Sequence, residues 1–385
     1  MFNQAITRFK DFLWRLPWGV FLLILLAFLV LKNGLWPVPN IDLVRSISLD
    51  LQANPVAHLP RQQYLMYSYV GPFLGHWLGT NVSIQAYVFM HFFIWLAATV
   101  AILQGIRRKF GDDLGRLAGL ALVGLPVTTT CLVWLGDSDV FVFLASSLLF
   151  LTTSWVVAFL VGIFFGVAHF ELGVLIGAAL LGSAWLIGNP RLLNGRALLL
   201  SLVGMVLGRM ALQEWFEWNH FHLGTDRFQY VLTADPDRFA RGLVEHFGIL
   251  TLSLFGAFWP YVIFRFEALR ETRRPLFWGL SAWLLGAVAI LCIVLDSTRI
   301  FALLSWPLVL LLLPGMIEEG ARRDELRKTF LACAMAAVVF PPLMVWSGKV
   351  FSSANFIFAD RLITAAQDSE PVFPDNYKMY NDLYK

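Results

Sequence analysis

"GDSDVFVFLASSLLFLTTSWVVAFLVGIFFGVAHFELGVLIGAALLGSAWLIGN" runs from Gly136 to Asn189 without a lysine or arginine, and its only carboxylates are Asp137, Asp139 and Glu171. About twenty apolar residues cross a bilayer, so the stretch holds either two long membrane helices or three short ones. The flanking basic loops decide between them. They are "GIRRKFGDDLGR" (Arg107, Arg108, Lys109), "NPRLLNGR" (Arg191, Arg196), "RFEALRETRRP" (Arg265, Arg270, Arg273, Arg274) and "ARRDELRK" (Arg322, Arg323, Arg327, Lys328). With three short helices, over 139–152, 154–168 and 171–188, every basic loop falls on the cytoplasmic side. With two long helices the last three loops invert, against the positive-inside rule. Three short helices are therefore predicted, each of about 14 to 18 residues. At 1.5 Å per residue a 14-residue helix covers about 21 Å, so it thins the bilayer or shelters among neighbours.

The whole chain agrees with that setting. Its 385 residues are 58% hydrophobic and 14% charged, with a mean hydropathy of +0.68, whereas a soluble domain carries about 25% charge. The 15 Trp and 34 Phe suit interfaces and helix contacts in a membrane. A net charge of +3 is too small to suggest a nucleic-acid partner. Cys131, Cys292 and Cys333 stand singly inside apolar runs and read as small buried hydrophobes. The first apolar run, Trp18 to Leu35, is too long for a cleavable signal and reads as a membrane helix, with Arg8, Lys10 and Arg15 holding its start in the cytoplasm. The remaining spans are expected near 83–104, 115–136, 197–213, 247–265, 275–295, 300–317 and 329–347. The expected fold is thus an all-α polytopic membrane protein of about eleven helices. One integral domain is expected over 1–347, followed by an extracytoplasmic tail over 348–385 that reads as partly ordered.

This topology collects four short polar motifs on the outer face: "NIDLVR" (Asp42, Arg45), "GDSD" (Asp137, Asp139), "AHFE" (His169, Glu171) and "LDSTR" (Asp296, Arg299). Plainer readings exist for each. Asp139 suits a helix cap, Asp296 with Arg299 and Asp42 with Arg45 suit i,i+3 pairs, and His169 suits an interfacial hydrogen bond. Glu171, wedged between apolar runs, is poorly placed to be merely solvated. Arg209, inside "LSLVGMVLGRMALQEW", either snorkels or holds a phosphate bidentately. The second outer loop, 214–246, holds His220 and His222, at a spacing that favours no metal site. Its aromatic residues, like those of the first loop, suggest segments lying on the bilayer surface.

The layout resembles the GT-C superfamily of membrane glycosyltransferases. The features that carry the resemblance are a first helix leaving the cytoplasm, a long first loop with an acid near its start (Asp42, six residues after Trp36), and a second acidic turn, "GDSD". It covers roughly residues 1–345. A close acidic pair at the first-loop position, carried by some members, is missing, and so is a large soluble C-terminal domain. The resemblance implies an inverting transfer of sugar from a polyprenyl-phosphate donor to a glycan, lipid or protein acceptor, on the outer face of a bacterial cytoplasmic membrane. Read directly, the residues offer Asp42 as general base, with Asp137, Asp139 and Glu171 completing the acidic set. Arg209 or Arg299 would meet the departing phosphate, and Arg45, His169 and Asp296 would contact substrate. Asp137 and Asp139 would either bind a divalent cation such as Mg or Mn or orient sugar hydroxyls. Two alternatives stand beside this. An O-antigen polymerase or ligase would use Arg227, Arg238 and Arg241 with His220, His222 and His246 of the second loop. A transporter would place its ionisable groups near mid-membrane.

Overall fold

Prolines and glycines punctuate the helices of the computed structural model, which describes residues 2–223, 241, 244–291, 294, 296–313, 323–346, 349–352 and 355–374. In chain order the elements are α1 (Phe2–Arg15), α2 (Trp18–Asn33), α3 (Ile41–Leu49), α4 (Val70–Trp77), α5 (Ile84–Phe110), α6 (Asp112–Gly124), α7 (Pro126–Val133) and α8 (Asp139–Leu151). There follow α9 (Trp155–Ile187), α10 (Gly195–Trp218), α11 (Phe247–Phe255), α12 (Trp259–Thr272), α13 (Arg274–Leu291), α14 (Ser297–Leu312) and α15 (Arg323–Val339). A two-stranded hairpin, β1 (Leu343–Trp346) with β2 (Lys349–Ser352), and α16 (Asn355–Asp368) complete the chain. Among the described residues, five helical stretches are long and apolar enough to cross a membrane, or seven if two bent pairs count as one span each. The protein is a helical membrane protein.

The chain divides into two compact units. One comprises Met1–Gly34, Thr99–Thr130 and Arg238–Asn355, the other Leu35–Ala98, Cys131–Asp237 and Phe356–Lys385. In the first, helix breaks are patched by side chains. Pro126 has no N–H for Leu122 O, and Thr128 Oγ1 donates to that carbonyl at 2.8 Å. Pro341 likewise leaves Ala337 O without its helical donor. The buried Lys32 ammonium donates to it and, at 2.6 Å, to Val123 O. These carbonyls lie in the last turns of α15 and α6, where helix dipoles favour a cation. At the far end of α2, α1 turns away by 116°. It is held by Trp14 and Arg327, both hydrogen-bonded to Asp113, and by Arg116, which donates to Leu13 O and Leu16 O.

Several expectations are corrected in this unit. Arg265 is a buried residue of α12 and donates to Leu312 O at 3.3 Å, so the positive charge there comes from Arg270 in the last turn of α12, Arg273 after it and Arg274 at the start of α13. The last span ends at Val339, because Pro341 and Pro342 stop the helix and the chain then pairs as β1 with β2. The expected domain boundary at 347/348 thus falls between two paired strands, and the fold is helical with one small hairpin. In the second unit the tail is partly built in. Phe358 of α16 packs on Trp36 with ring centroids 5.8 Å apart, and Phe373 N donates to Gln85 Oε1. Residues 375–385 lie outside the described ones.

The decisive stretch folds in the second unit. α8 covers 139–151, and α9 consists of two helical arms that meet at His169, whose backbone is not helical (φ −166°, ψ 84°). In a straight helix Gly162 and Gly177 would stand about 22 Å apart. Instead Gly162 abuts Ser201 and Gly177 abuts Leu202, while Gly166 and Gly173 both reach Met205. Only a chain that doubles back at His169 does this. The two arms, 155–168 and 170–187, therefore lie side by side against α10. Asn194 Nδ2 donates to Thr153 O and closes the opposite end. The backbones touch through glycine. A Cβ on Gly162 or Gly166 would collide with Ser201 O or Met205 O, and one on Gly204 or Gly208 with Phe159 O or Ile163 O.

Two outcomes are expected. Gly204→Val, which forces these backbones apart, should lower stability by about 1–3 kcal/mol in thermal unfolding of the detergent-solubilised protein. An unchanged transition would mean that the helices do not touch there. Lys32→Met leaves the Val123 and Ala337 carbonyls unpaired, at about 1–3 kcal/mol for each buried group. A neutral result would show that those carbonyls have other donors.

Candidate active site

The two acidic motifs nearest the first span are brought together by backbone. Gly34 (φ 69°) ends α2, and the chain then runs extended beside the end of α7. Trp36 N donates to Leu132 O at 2.9 Å, Leu135 N to Trp36 O at 3.1 Å and Val38 N to Leu135 O at 2.9 Å, a parallel bridge centred on Pro37 and Leu135. α3 starts three residues later, and its Ile41 packs onto Gly136. That glycine has φ +107°, and a side chain there would strike Ile41. Asp42, in the first turn of α3, and Asp137, next to Gly136, thus share one corner of the unit. Asp42 is exposed and Asp137 half-buried, with its Oδ1 accepting from Ser138 N at 2.6 Å.

Asp139 does not share the opening. It is fully buried in the first turn of α8, where the positive helix end favours a carboxylate. Its neighbour Asp137 alone faces outward, so the two do not form the open ligand pair that their spacing suggests. Among the described residues, no three of His, Cys, Asp and Glu converge in a way that would hold a metal ion. Arg45 Nη1 donates to Asn81 O at 3.0 Å and so pins α3 to the loop ahead of α5.

A tyrosine from α5 stands at the centre of this corner. Three glycines clear room for the Tyr87 ring. A Cβ on Gly71 would lie 3.2 Å from its hydroxyl, one on Gly75 2.5 Å from its ring, and one on Gly136 3.7 Å from it. One turn on, the His91 ring lies beside it, tilted by 52° with centroids 4.7 Å apart, and its Nδ1 lies 3.0 Å from Tyr87 O. The Asp137 carboxylate bears electrostatically on both rings. Sequence reasoning missed this pair. The available signal was a histidine four residues after a tyrosine inside an apolar helix, "YVFMH", which the bilayer makes costly without a reason.

The "AHFE" motif lies at the chain reversal, and the segment from Tyr67 to Gly71 links it to the acidic corner. Tyr69 N donates to Val167 O at 3.3 Å, and Tyr69 Oη donates to Leu51 O at 2.7 Å. Burial pushes the Tyr69 phenol above its ordinary range and keeps it a neutral donor. The Arg209 guanidinium lies 4.0 Å from the Tyr67 ring centre and 5.8 Å from that of Phe170. Its Nη1 is buried without a hydrogen-bond partner. His169 Nδ1 and Glu171 Oε2 are 3.4 Å apart, and Glu171 is about a third exposed. Four residue steps separate Tyr67 from Gly71, at most about 14 Å. Arg209 and the Asp137–Tyr87 corner thus belong to one unit and are linked by this short segment.

Asp296 and Arg299 belong to the other unit. They face each other at the start of α14, with Arg299 Nη1 donating to Asp296 Oδ2 at 3.0 Å, the simple i,i+3 pair that their spacing allows. Arg227 and Arg238 lie outside the described residues, and Arg241 is exposed. Comparison with protein-family profiles, characterised protein sequences and solved structures found no match to this chain.

Proposed function

We propose that the protein is a glycosyltransferase of the GT-C type, moving a sugar from a polyprenyl-phosphate donor to an acceptor hydroxyl at the outer face of a bacterial cytoplasmic membrane. The observation that supports this reading is that one compact unit holds an exposed carboxylate (Asp42) and a half-buried one (Asp137) at one corner and, linked to it through the Tyr67–Gly71 segment, a guanidinium with an unused buried donor (Arg209). In the proposed reaction Asp42 takes the acceptor O–H proton while the oxygen attacks the anomeric carbon. The bond from that carbon to the phosphate oxygen breaks, and the electron pair leaves on the phosphate. Arg209, stacked on Tyr67, neutralises that charge. Asp137 and Glu171 orient the sugar, His169 supports Glu171, and Asp139 holds the start of α8. The acceptor is a glycan, a lipid or a protein.

The orientation belongs to the same proposal: eleven spans, counting the two arms of α9 separately, with the N-terminus in the cytoplasm. The reversal at His169 supports it, because it lets every basic loop share one side. A cysteine at the exposed Thr153 should then escape a membrane-impermeant thiol reagent applied from outside, whereas one at the exposed Gln52 should react. Cys131 and Cys333 are buried and give little background. Labelling at 153 in intact cells would invert or break this topology.

Asp42→Asn keeps the side-chain shape but cannot accept the proton. Transfer from polyprenyl-phosphate sugars should fall about 100-fold or more with unfolding temperature unchanged. Near-normal turnover in that variant would remove Asp42 from the base role. Arg209→Lys should weaken donor use and Arg209→Gln should weaken it further, because neither restores the planar fork. Donor titrations matching the parent for both would reduce Arg209 to a structural cation.

A further inference from the structure

Around Asp137 stand three polar side-chain atoms that are buried and have no hydrogen-bond partner: Tyr87 Oη, His91 Nε2 and Ser138 Oγ. Their residues are 0%, 0% and 3% exposed. An unpaired buried polar atom lowers stability, and a chain that satisfies proline-orphaned carbonyls elsewhere with Thr128 and Lys32 leaves three such atoms beside one carboxylate. Sites that violate local rules together are where binding is expected.

The chemistry of the three atoms specifies the ligand. With His91 Nδ1 donating its proton to Tyr87 O, Nε2 is left as a lone-pair acceptor. Tyr87 Oη offers a donor. A Cβ built on Gly71 would stand 2.9 Å from His91 Nε2 and 3.2 Å from Tyr87 Oη, so the two atoms are at most about 6 Å apart. One hydroxyl oxygen at hydrogen-bond distance from both can accept from the tyrosine and donate to the imidazole. Ser138 Oγ and the Asp137 carboxylate serve adjacent hydroxyls in the same way. Such a group of neutral donors and acceptors around one carboxylate suits a polyhydroxylated ring.

We propose that Tyr87, His91 and Ser138 form a sugar-hydroxyl subsite beside Asp137, covered by α4. The inference deepens the glycosyltransferase reading and rests on it. α4 lies against Tyr87 through Gly71 and Gly75 and against His91 through Gly71, where the backbone approaches too closely for a side chain. It ends at Leu78–Gly79, where Gly79 takes a left-handed conformation (φ 65°). Its opposite face exposes Phe73 and Trp77. A shift of α4 uncovers Tyr87 Oη and His91 Nε2, and a sugar ring replaces the glycine contact with hydrogen bonds.

The test uses the full-length protein in nanodiscs, with farnesyl phosphate and farnesyl-phosphate-linked glucose, mannose and galactose as probes. Hydrogen exchange of residues 70–79 should change with at least one sugar-bearing probe and not with farnesyl phosphate alone. Tyr87→Phe keeps the ring in its glycine slot and removes only the hydroxyl. It should unfold at the parent's temperature or above it, bind farnesyl phosphate normally, and lose at least tenfold in affinity for that sugar-bearing probe. Ser138→Ala should behave alike with a smaller loss. If Tyr87→Phe unfolds at lower temperature and binds the sugar-bearing probes like the parent, the hydroxyl is structural and the subsite is refuted, with phosphate binding still intact. If farnesyl phosphate itself does not bind, the glycosyltransferase reading falls and takes the subsite with it.

Discussion

The approach of helix backbones at Gly162, Gly166, Gly204 and Gly208 is the contact on which the rest of the second unit depends. In a bilayer, helices gain little from hiding apolar surface, because lipid tails are as apolar as leucine. Close packing must supply the attraction, and glycine permits it. With α10 held backbone to backbone against the first arm of α9, the chain can turn at His169 and send the second arm back along the same partner. That reversal sets Phe170 near Arg209 and lets Tyr69 pair with Val167 O. A larger residue at any of the four positions would disturb the helix pair and the polar cluster above it together.

The sequence made the fold legible where bilayer physics is strict. Long apolar runs between basic loops announced the membrane helices, and placed the ends of α2, α8 and the two arms of α9 to within a turn. Loop charge selected three short segments over two long ones although the break at His169 carries neither proline nor glycine. What escaped was local. Pro341 and Pro342 were visible, but their effect in ending α15 and starting a hairpin was outweighed by the hydropathy of 329–347. Arg265 looked like loop charge because hydropathy cannot tell a snorkelling arginine from one that has found a carbonyl inside the bundle.

The candidate site was legible in its acids and less so in its neutral parts. Asp42 and Asp137 stood out as carboxylates at the ends of apolar runs, and their meeting required only the bridge between Pro37 and Leu135. Asp139 could not be separated from Asp137 on spacing, since burial is set by the turn, where Gly136 aims one carboxylate outward and the helix start takes the other. Tyr87 and His91 drew no attention because an aromatic residue in a membrane helix is ordinary. Their importance comes from partners far away in sequence, the glycines at 71, 75 and 136.

Two cations inside apolar helices are held in different ways. Lys32 is buried, and its ammonium meets Val123 O and Ala337 O in the last turns of two helices. Nothing about it calls for a ligand, because helix ends with unused carbonyls are the partners a buried ammonium needs. Arg209 is held differently. The Tyr67 face lies against its guanidinium and fixes the plane of the fork, yet a ring face satisfies no N–H, and Nη1 remains buried and unpaired. An arginine kept for packing would gain from a carbonyl or carboxylate at that position. Under the glycosyltransferase proposal, an aromatic surface that leaves Nη1 unpaired suits an arginine that meets an anion.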